Sequence, residues 1–269
     1  MTDGVVLYDK PAGITSHDVV ARMRRALAAG HGPVKVGHAG TLDPFATGLL
    51  LILVGRATRV QRFLMALTKR YEATARFGAV SSTGDPEGEI DYTGVVPDGE
   101  LKLPTGRIRQ RPPAYSAVKV GGRRAYALAR AGKPVELDER EVEVFRFDEV
   151  WHSGARRGFL IECSSGTYVR TLITDLGDAY CEELRRTAIG QFDVADADPD
   201  RIIGLSDALG FIPEVRLEAD EARRAWHGVA VPGDAGGAEV VRLTDADGVI
   251  ALAKPRGDGL LGPILGLRG

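Results

Sequence analysis

The chain has 269 residues, 44% of them hydrophobic and 27% charged, which is long for one domain and short for three. Its net charge of −2 argues against a protein that coats nucleic acid indiscriminately, and its longest apolar run, the six residues 49–54, is far too short to span a membrane. Two cysteines, Cys163 and Cys181, offer neither a disulfide framework nor metal-ligand spacing, and Met1-Thr2-Asp3-Gly4 lacks the features of a secretory signal, so the cytoplasm is the expected compartment.

In chain order, residues 4–8 read as a strand. Ser16 or Thr15 is a plausible cap for a helix running to about Ala29, with Val19, Val20, Met23 and Leu27 on one face. Gly30-His31-Gly32-Pro33 breaks the chain, and a glycine-studded loop with a single carboxylate, Asp43, leads into the buried strand 49–54. Asp43 is the only acid between Asp18 and Glu72, which favours a lone carboxylate acting as nucleophile or orienting group. Residues 57–67 look helical, and the alternation Tyr71, Ala73, Ala75, Phe77 is a half-buried strand. Ser81 to Gly94 reads as a turn region.

Residues 101–135 carry nine basic residues and no acid, whereas 193–221 carry nine acids against Arg201 and Arg216. Such segregation suits one anionic docking face and a solvated opposite face. Strands are expected at 141–150 and 158–164, and a helix at 167–180 with Leu172, Leu176 and Tyr180 on one side. Together these elements predict an α+β core around a mixed sheet over residues 1–212. Past Pro213 a short helix near 218–226 and a hairpin around Asp245-Ala246-Asp247-Gly248 predict a small β module over 213–269.

Five segments carry a resemblance. Val36-Gly37-His38-Ala39-Gly40-Thr41-Leu42-Asp43-Pro44 looks like the catalytic motif of the TruB-type pseudouridine synthases, bacterial enzymes that isomerise uridine 55 in the T arm of tRNA. Asp9-Lys10-Pro11-Ala12-Gly13, Lys69-Arg70-Tyr71, Pro113 to Lys119 and Ser165 to Leu172 resemble the family's other motifs, in family order. The resemblance implies a pseudouridine synthase core with a C-terminal PUA-like module, no metal and no cofactor. It also implies a monomer acting on tRNA without a protein partner or a membrane.

The same resemblance assigns roles. Asp43 becomes the catalytic carboxylate, able to attack C1′ or C6 or to take a sugar proton, and Arg170 becomes the guanidinium that lowers its pKa and keeps it ionised. Tyr71 becomes the platform for the flipped base, with a possible hand in proton transfer. Tyr168 closes the other side of the pocket, Leu184 of Leu184-Arg185-Arg186 forms its apolar wall, and His38 occupies the vacated stack or contacts phosphate. Lys10 buttresses the loop. The basic segment 101–135, with Arg107, Arg109, Arg111, Lys119, Arg123 and Arg124, grips RNA. An RNA chaperone with a vestigial site, or the catalytic subunit of a guide-RNA-dependent particle, are the competing readings. The intact Asp43, Tyr71 and Arg170 weigh against the first, and the absence of basic extensions at the ends weighs against the second.

Overall fold

The computed structural model describes residues 3–116, 118–135 and 137–268, with the backbone alone at 30, 31, 119, 124 and 127. The strands are β1 (Gly4–Lys10), β2 (Val36–Ala39), β3 (Thr47–Val54), β4 (Lys69–Phe77), β5 (Ala79–Ser81), β6 (Ile90–Tyr92) and β7 (Gly106–Gln110). They continue with β8 (Lys119–Val120), β9 (Arg123–Arg124), β10 (Arg140–Ser153), β11 (Arg156–Cys163), β12 (Ala179–Ile189), β13 (Phe192–Asp193) and β14 (Ile203–Gly204). The last five are β15 (Glu214–Arg216), β16 (Val231–Pro232), β17 (Val241–Asp245), β18 (Gly248–Pro255) and β19 (Leu260–Gly266). The helices are α1 (Ser16–His31), α2 (Gln61–Ala66), α3 (Ala125–Arg130), α4 (Val169–Thr174), α5 (Leu205–Ala208) and α6 (Ala219–Trp226).

Among the described residues a ten-stranded mixed sheet runs β14-β1-β3-β12-β4-β11-β10-β7, with β2 on β3 and β13 on β12. A five-stranded sheet, β15-β17-β18-β19-β16, makes the C-terminal β module. The architecture is the α+β arrangement expected from the pattern of elements. No described helix is long and apolar enough to cross a membrane.

The apolar run in β3 is continuous because both of its faces are covered. Leu49, Leu51 and Leu53 join Val5, Leu7, Ile189 and Phe192, and residues of the C-terminal module, Val249, Leu252 and Leu267, complete that cluster. Leu50, Ile52 and Val54 pack with Val19, Val20 and Met23 of α1 on the other face. Thr15 is the cap of α1, in a reciprocal capping box with Asp18. Ser16 is thereby freed for a different partner, the loop that bears Asp43.

The position of that loop follows from strand pairing. Along one edge of β3, Val36 to Ala39 of β2 pair with Val54 to Leu51. Along the same edge β12 takes over in parallel, with Arg185 opposite Thr47 and Arg186 opposite Gly48. The chain between β2 and β3 is therefore expelled from the sheet where β12 enters it. Gly48 makes that approach feasible: its φ is +103°, and a Cβ there would stand 2.2 Å from the Arg186 carbonyl oxygen.

One element departs from expectation. The helix foreseen over 167–180 is only Val169–Thr174, and Tyr180 lies in β12. Gly177, at φ +135°, ends the helical run, and residues from Ala179 onward gain a full antiparallel ladder with β4, Ala179 to Phe77 through Ile189 to Lys69. Pairing with an existing strand outweighed the helical spacing of Leu172, Leu176 and Tyr180. Most of the turn region 81–94 is spanned by a small hairpin of β5 and β6, with Ala79 opposite Tyr92.

Gly48→Ala is expected to destabilise the protein by about 3 kcal/mol or more, because the new methyl meets backbone and the backbone conformation is left-handed. Denaturant unfolding measures it; a loss below about 1 kcal/mol would show that β12 can retreat from β3 without penalty.

Candidate active site

The loop from Gly40 to Pro44 is fixed by its own carbonyls. Arg186 donates from Nη2 to the Gly40 oxygen at 3.1 Å and from Nη1 to the Thr41 oxygen at 3.4 Å. Ser16 Oγ donates to the Leu42 oxygen at 3.1 Å and accepts from the Leu42 N–H at 2.9 Å. The Asp43 oxygen accepts from the Ala46 N–H at 3.2 Å. The Pro44 oxygen accepts from the Gly13 N–H at 2.9 Å and from Lys10 Nζ at 3.2 Å. Five successive carbonyls are thus satisfied without regular secondary structure, as a partly buried loop requires. Lys10 also donates to the Pro11 and Ile14 oxygens at 2.9 Å, which accords with the buttressing expected of it. Burial pushes its ammonium down to about 8, against the attraction of Asp43 and Glu87.

The loop presents Asp43 to Arg170. Arg170 Nε lies 3.0 Å from Asp43 Oδ2, and only 4% of the arginine side chain is exposed, against 35% for the aspartate. Arg170 reaches the site because α4 starts just after Tyr168, whose backbone N–H and carbonyl are both held by a buried amide. The Tyr168 N–H donates to Gln110 Oε1 at 2.7 Å, and Gln110 Nε2 donates to the Tyr168 oxygen at 2.9 Å.

Asp43 is not the lone carboxylate that its sequence neighbourhood suggests. Arg170 Nη1 also meets Asp85 Oδ2 at 2.8 Å, and the Asp85 side chain is 4% exposed. Asp85 accepts further from Thr83 Oγ1 at 2.6 Å and from the Glu87 N–H at 3.1 Å. Arg170 completes its fork on two carbonyls, Thr83 at 2.8 Å and Tyr115 at 2.7 Å. One guanidinium thus binds two carboxylates and ties the 81–94 hairpin and the basic segment to the loop. Nothing in the sequence separates Asp85 from the ordinary aspartates of glycine-rich turns.

The electrostatic balance at Asp43 differs from expectation. Burial raises its carboxyl above the ordinary range, and Arg170 opposes that; Asp85 adds to the rise and Lys10 counters it. The guanidinium does favour the ionised form, as expected, but the net direction is upward. Glu87 is also raised, by burial and by the nearby Asp85 and Asp43.

Tyr71 is buried on β4, in the apolar cluster that contains Leu42, Ala46, Ala73 and Leu184. Leu184 stands opposite Ala73 and Arg186 opposite Tyr71, so the four side chains share one face of the sheet. Burial raises the Tyr71 phenol, while Arg186 acts to lower it. Tyr168 lies below the Arg140 guanidinium, 5.7 Å from its ring centroid. His38 sits on β2 ahead of the loop, its ring edge-on to that of His17 at 5.3 Å. Cys163 and Cys181 are buried free thiols, consistent with their reading as small apolar residues.

Of the basic residues, Arg107, Arg109 and Arg111 are exposed along and just beyond β7, the edge strand of the large sheet, and Arg123 is exposed at the start of β9. Arg107 pairs with Glu141 at 3.9 Å and Arg111 with Glu139 at 3.6 Å. The side chains of Lys119 and Arg124, and residue Ala117 of the same segment, lie outside the described residues. Gln110, Asp85, Ser16 and Arg186 are the site-building residues that the sequence did not single out.

Comparison with known proteins gives the family of the chain. Residues 24–169 match the family described as TruB family pseudouridylate synthase (N terminal domain). The tRNA pseudouridine synthase B of Mycobacterium bovis is 42% identical over 282 aligned positions, covering 94% of this chain and 92% of the relative. That of Thermobifida fusca is 44% identical, covering 95% and 96%. Among solved structures, a chain of a Cbf5-Nop10-Gar1 complex superposes with a TM-score of 0.71 at 26% identity, covering 99% of this chain and 84% of that one. With that match across more than half of its length, and relatives above 40% identity along nearly all of it, the chain belongs to the TruB family of pseudouridylate synthases.

Proposed function

We propose that this pseudouridine synthase isomerises uridine 55 in the T loop of tRNA, with Asp43 as nucleophile. The observation that carries the reading is the buried Arg170 fork, which aims one carboxylate, Asp43, at a partly open surface while Asp85 holds its far side. In the reaction the N1–C1′ bond breaks, the uracil turns and C5 bonds to C1′. The proton on C5 leaves and N1 gains one, so nothing is added and no redox partner is needed. The target base must first leave the stack, at a cost of a few kcal/mol. Tyr71 supplies the face on which it stacks and a phenol placed to handle the C5 proton, while Leu184 and Tyr168 wall the pocket and His38 lies toward the emptied stack.

The basic segment 101–135 grips the RNA backbone, with Arg107, Arg109, Arg111, Lys119, Arg123 and Arg124 as its contacts, and residues 213–269 act as an accessory PUA-like module docked on the core. A stand-alone enzyme is preferred over a guide-RNA-dependent subunit because relatives 42% and 44% identical to this chain, with 92% and 96% of their own lengths covered, are named tRNA pseudouridine synthase B. The direct test incubates the purified protein with unmodified tRNA and maps pseudouridine by carbodiimide chemistry. Modification confined to position 55 is expected; modification elsewhere, or none, would overturn the reading.

Asp43→Asn is expected to abolish product while leaving tRNA affinity within a few-fold. Because the ionised carboxylate is the active form and burial raises its pKa, kcat/KM should fall as pH drops through a value above the ordinary ~3.9 of an aspartate. A profile flat down to pH ~4 would contradict a buried catalytic carboxylate.

Tyr71→Phe keeps the ring and should bind tRNA normally, yet lose about 10²-fold or more in single-turnover rate if the phenol moves a proton. Tyr71→Ala should lose in addition roughly 1–3 kcal/mol of stacking. Two variants at the wild-type rate would reduce Tyr71 to a core residue.

Replacing Arg107, Arg109 and Arg111 together with Ala should weaken tRNA binding and flatten its dependence on salt by up to about three phosphate contacts' worth of slope. An unchanged slope would move the RNA face elsewhere on the molecule.

A further inference from the structure

Among the described residues Arg186 is the largest fully buried side chain, at 1% exposure, and no carboxylate among them lies within ion-pair distance of it. Its neighbour Arg185 has an ordinary partner, Asp9, at 2.7 Å. A buried cation without a counterion is costly, and an apolar side chain would fill the same space without that cost. What Arg186 does have is carbonyls. Its Nε donates to the Leu49 oxygen at 2.7 Å in β3, and its two terminal nitrogens hold the Gly40 and Thr41 oxygens of the loop that carries Asp43. The adjoining residue in the ladder is Tyr71, directly opposite on β4 and on the same face.

We propose that Arg186 is a positioning residue for the isomerisation: a single guanidinium, rooted on β3, sets the Asp43 loop and the Tyr71 ring relative to one another. This rests on the roles given above to Asp43 and Tyr71. The planar fork is what the task requires, since three acceptors in three directions must be held at once, and an ammonium is a point charge that cannot match that geometry. Gly40 brings the loop close against it; a Cβ at Gly40 would lie 3.5 Å from Arg186 Nη1. The charge is felt by the groups around it. It opposes the upward push of burial on the Tyr71 phenol, and it adds to burial in bringing the Lys69 ammonium down to about 8. Arg170 and Arg186 therefore divide the work: the first orients the carboxylate by its charge, the second orients the backbone beneath it and the aromatic beside it.

The test is a double-mutant cycle on unmodified tRNA, with Arg186→Lys, Tyr71→Phe and the pair, read as single-turnover rates at a temperature below each variant's unfolding midpoint. Arg186→Lys should lower the rate about 10²-fold with tRNA affinity within a few-fold, and should add little further loss in the Tyr71→Phe background. A rate near wild type for Arg186→Lys, or losses that simply multiply, would overturn the proposal. Absence of pseudouridine with the wild-type protein would instead sink the assigned reaction, and a wild-type rate for Tyr71→Phe would sink the role given to that tyrosine. A readout that needs no Arg186 variant is the ¹⁵N spectrum of buried guanidinium groups in the wild type and in Tyr71→Phe. The Arg186 Nη signals should shift and the Nε signal stay, and an unmoved Nη pair would count against any link between the two side chains.

Discussion

The site depends on holding a short, irregular loop rigid while it carries a partly buried charge. From Gly40 to Pro44 each backbone carbonyl has a donor, supplied in turn by Arg186, Ser16, the Ala46 N–H, and Lys10 with the Gly13 N–H. An unsatisfied carbonyl in such surroundings costs about 1–3 kcal/mol, so a loop with several would reorganise toward water. Apart from the local Ala46 N–H, the donors come from three separate parts of the chain, β1 with its following turn, the start of α1, and β12. The geometry of Asp43 is therefore a property of the assembled sheet rather than of its own motif.

The two buried arginines illustrate how environment decides what a guanidinium does. Arg170 faces Asp43 and Asp85, so a cation sits between two anions and the local sum is negative. Burial raises Asp43 although an arginine touches it, and Asp85 offsets part of the stabilisation that Arg170 gives the ionised form. Lys10 moderates the excess from below the loop, and its own ammonium is lowered by burial to about 8. Arg186 donates to backbone carbonyls, so it stabilises a backbone shape without neutralising a carboxylate among the described residues.

Much of this was legible in the residues themselves. The six-residue apolar run had to be a strand covered on both faces, and the alternation from Tyr71 to Phe77 had to be one side of another, because those periods have no competing solution at that length. Asp43 and Arg170 were both singled out through motif resemblance, and they meet at 3.0 Å. What was not legible depends on tertiary pairing. Tyr180 continues the helical spacing of Leu172 and Leu176, and only the presence of β4 as a partner converts that stretch into β12. Asp85 looks like any aspartate in a glycine-rich turn until the hairpin folds back onto α4. Gln110 closes a basic strand and gives no hint that its amide will clamp the peptide of a residue 58 positions away.

The basic edge poses a last physical question: whether its arginines are available to a polyanion when some already face acids. Arg107–Glu141 and Arg111–Glu139 are long contacts, 3.9 and 3.6 Å, between side chains that are mostly exposed. Pairs of that kind contribute about 0–1 kcal/mol, since water and salt compete for both partners. A phosphate offers the same arginine a charge-assisted, often bidentate contact, and the release of condensed counterions adds a gain that grows as salt falls. Exchange of the glutamates for phosphates is therefore favourable, and the glutamates keep the edge strand from attracting other anions or other sheets in the meantime. The overall charge of −2 is then no obstacle to RNA binding.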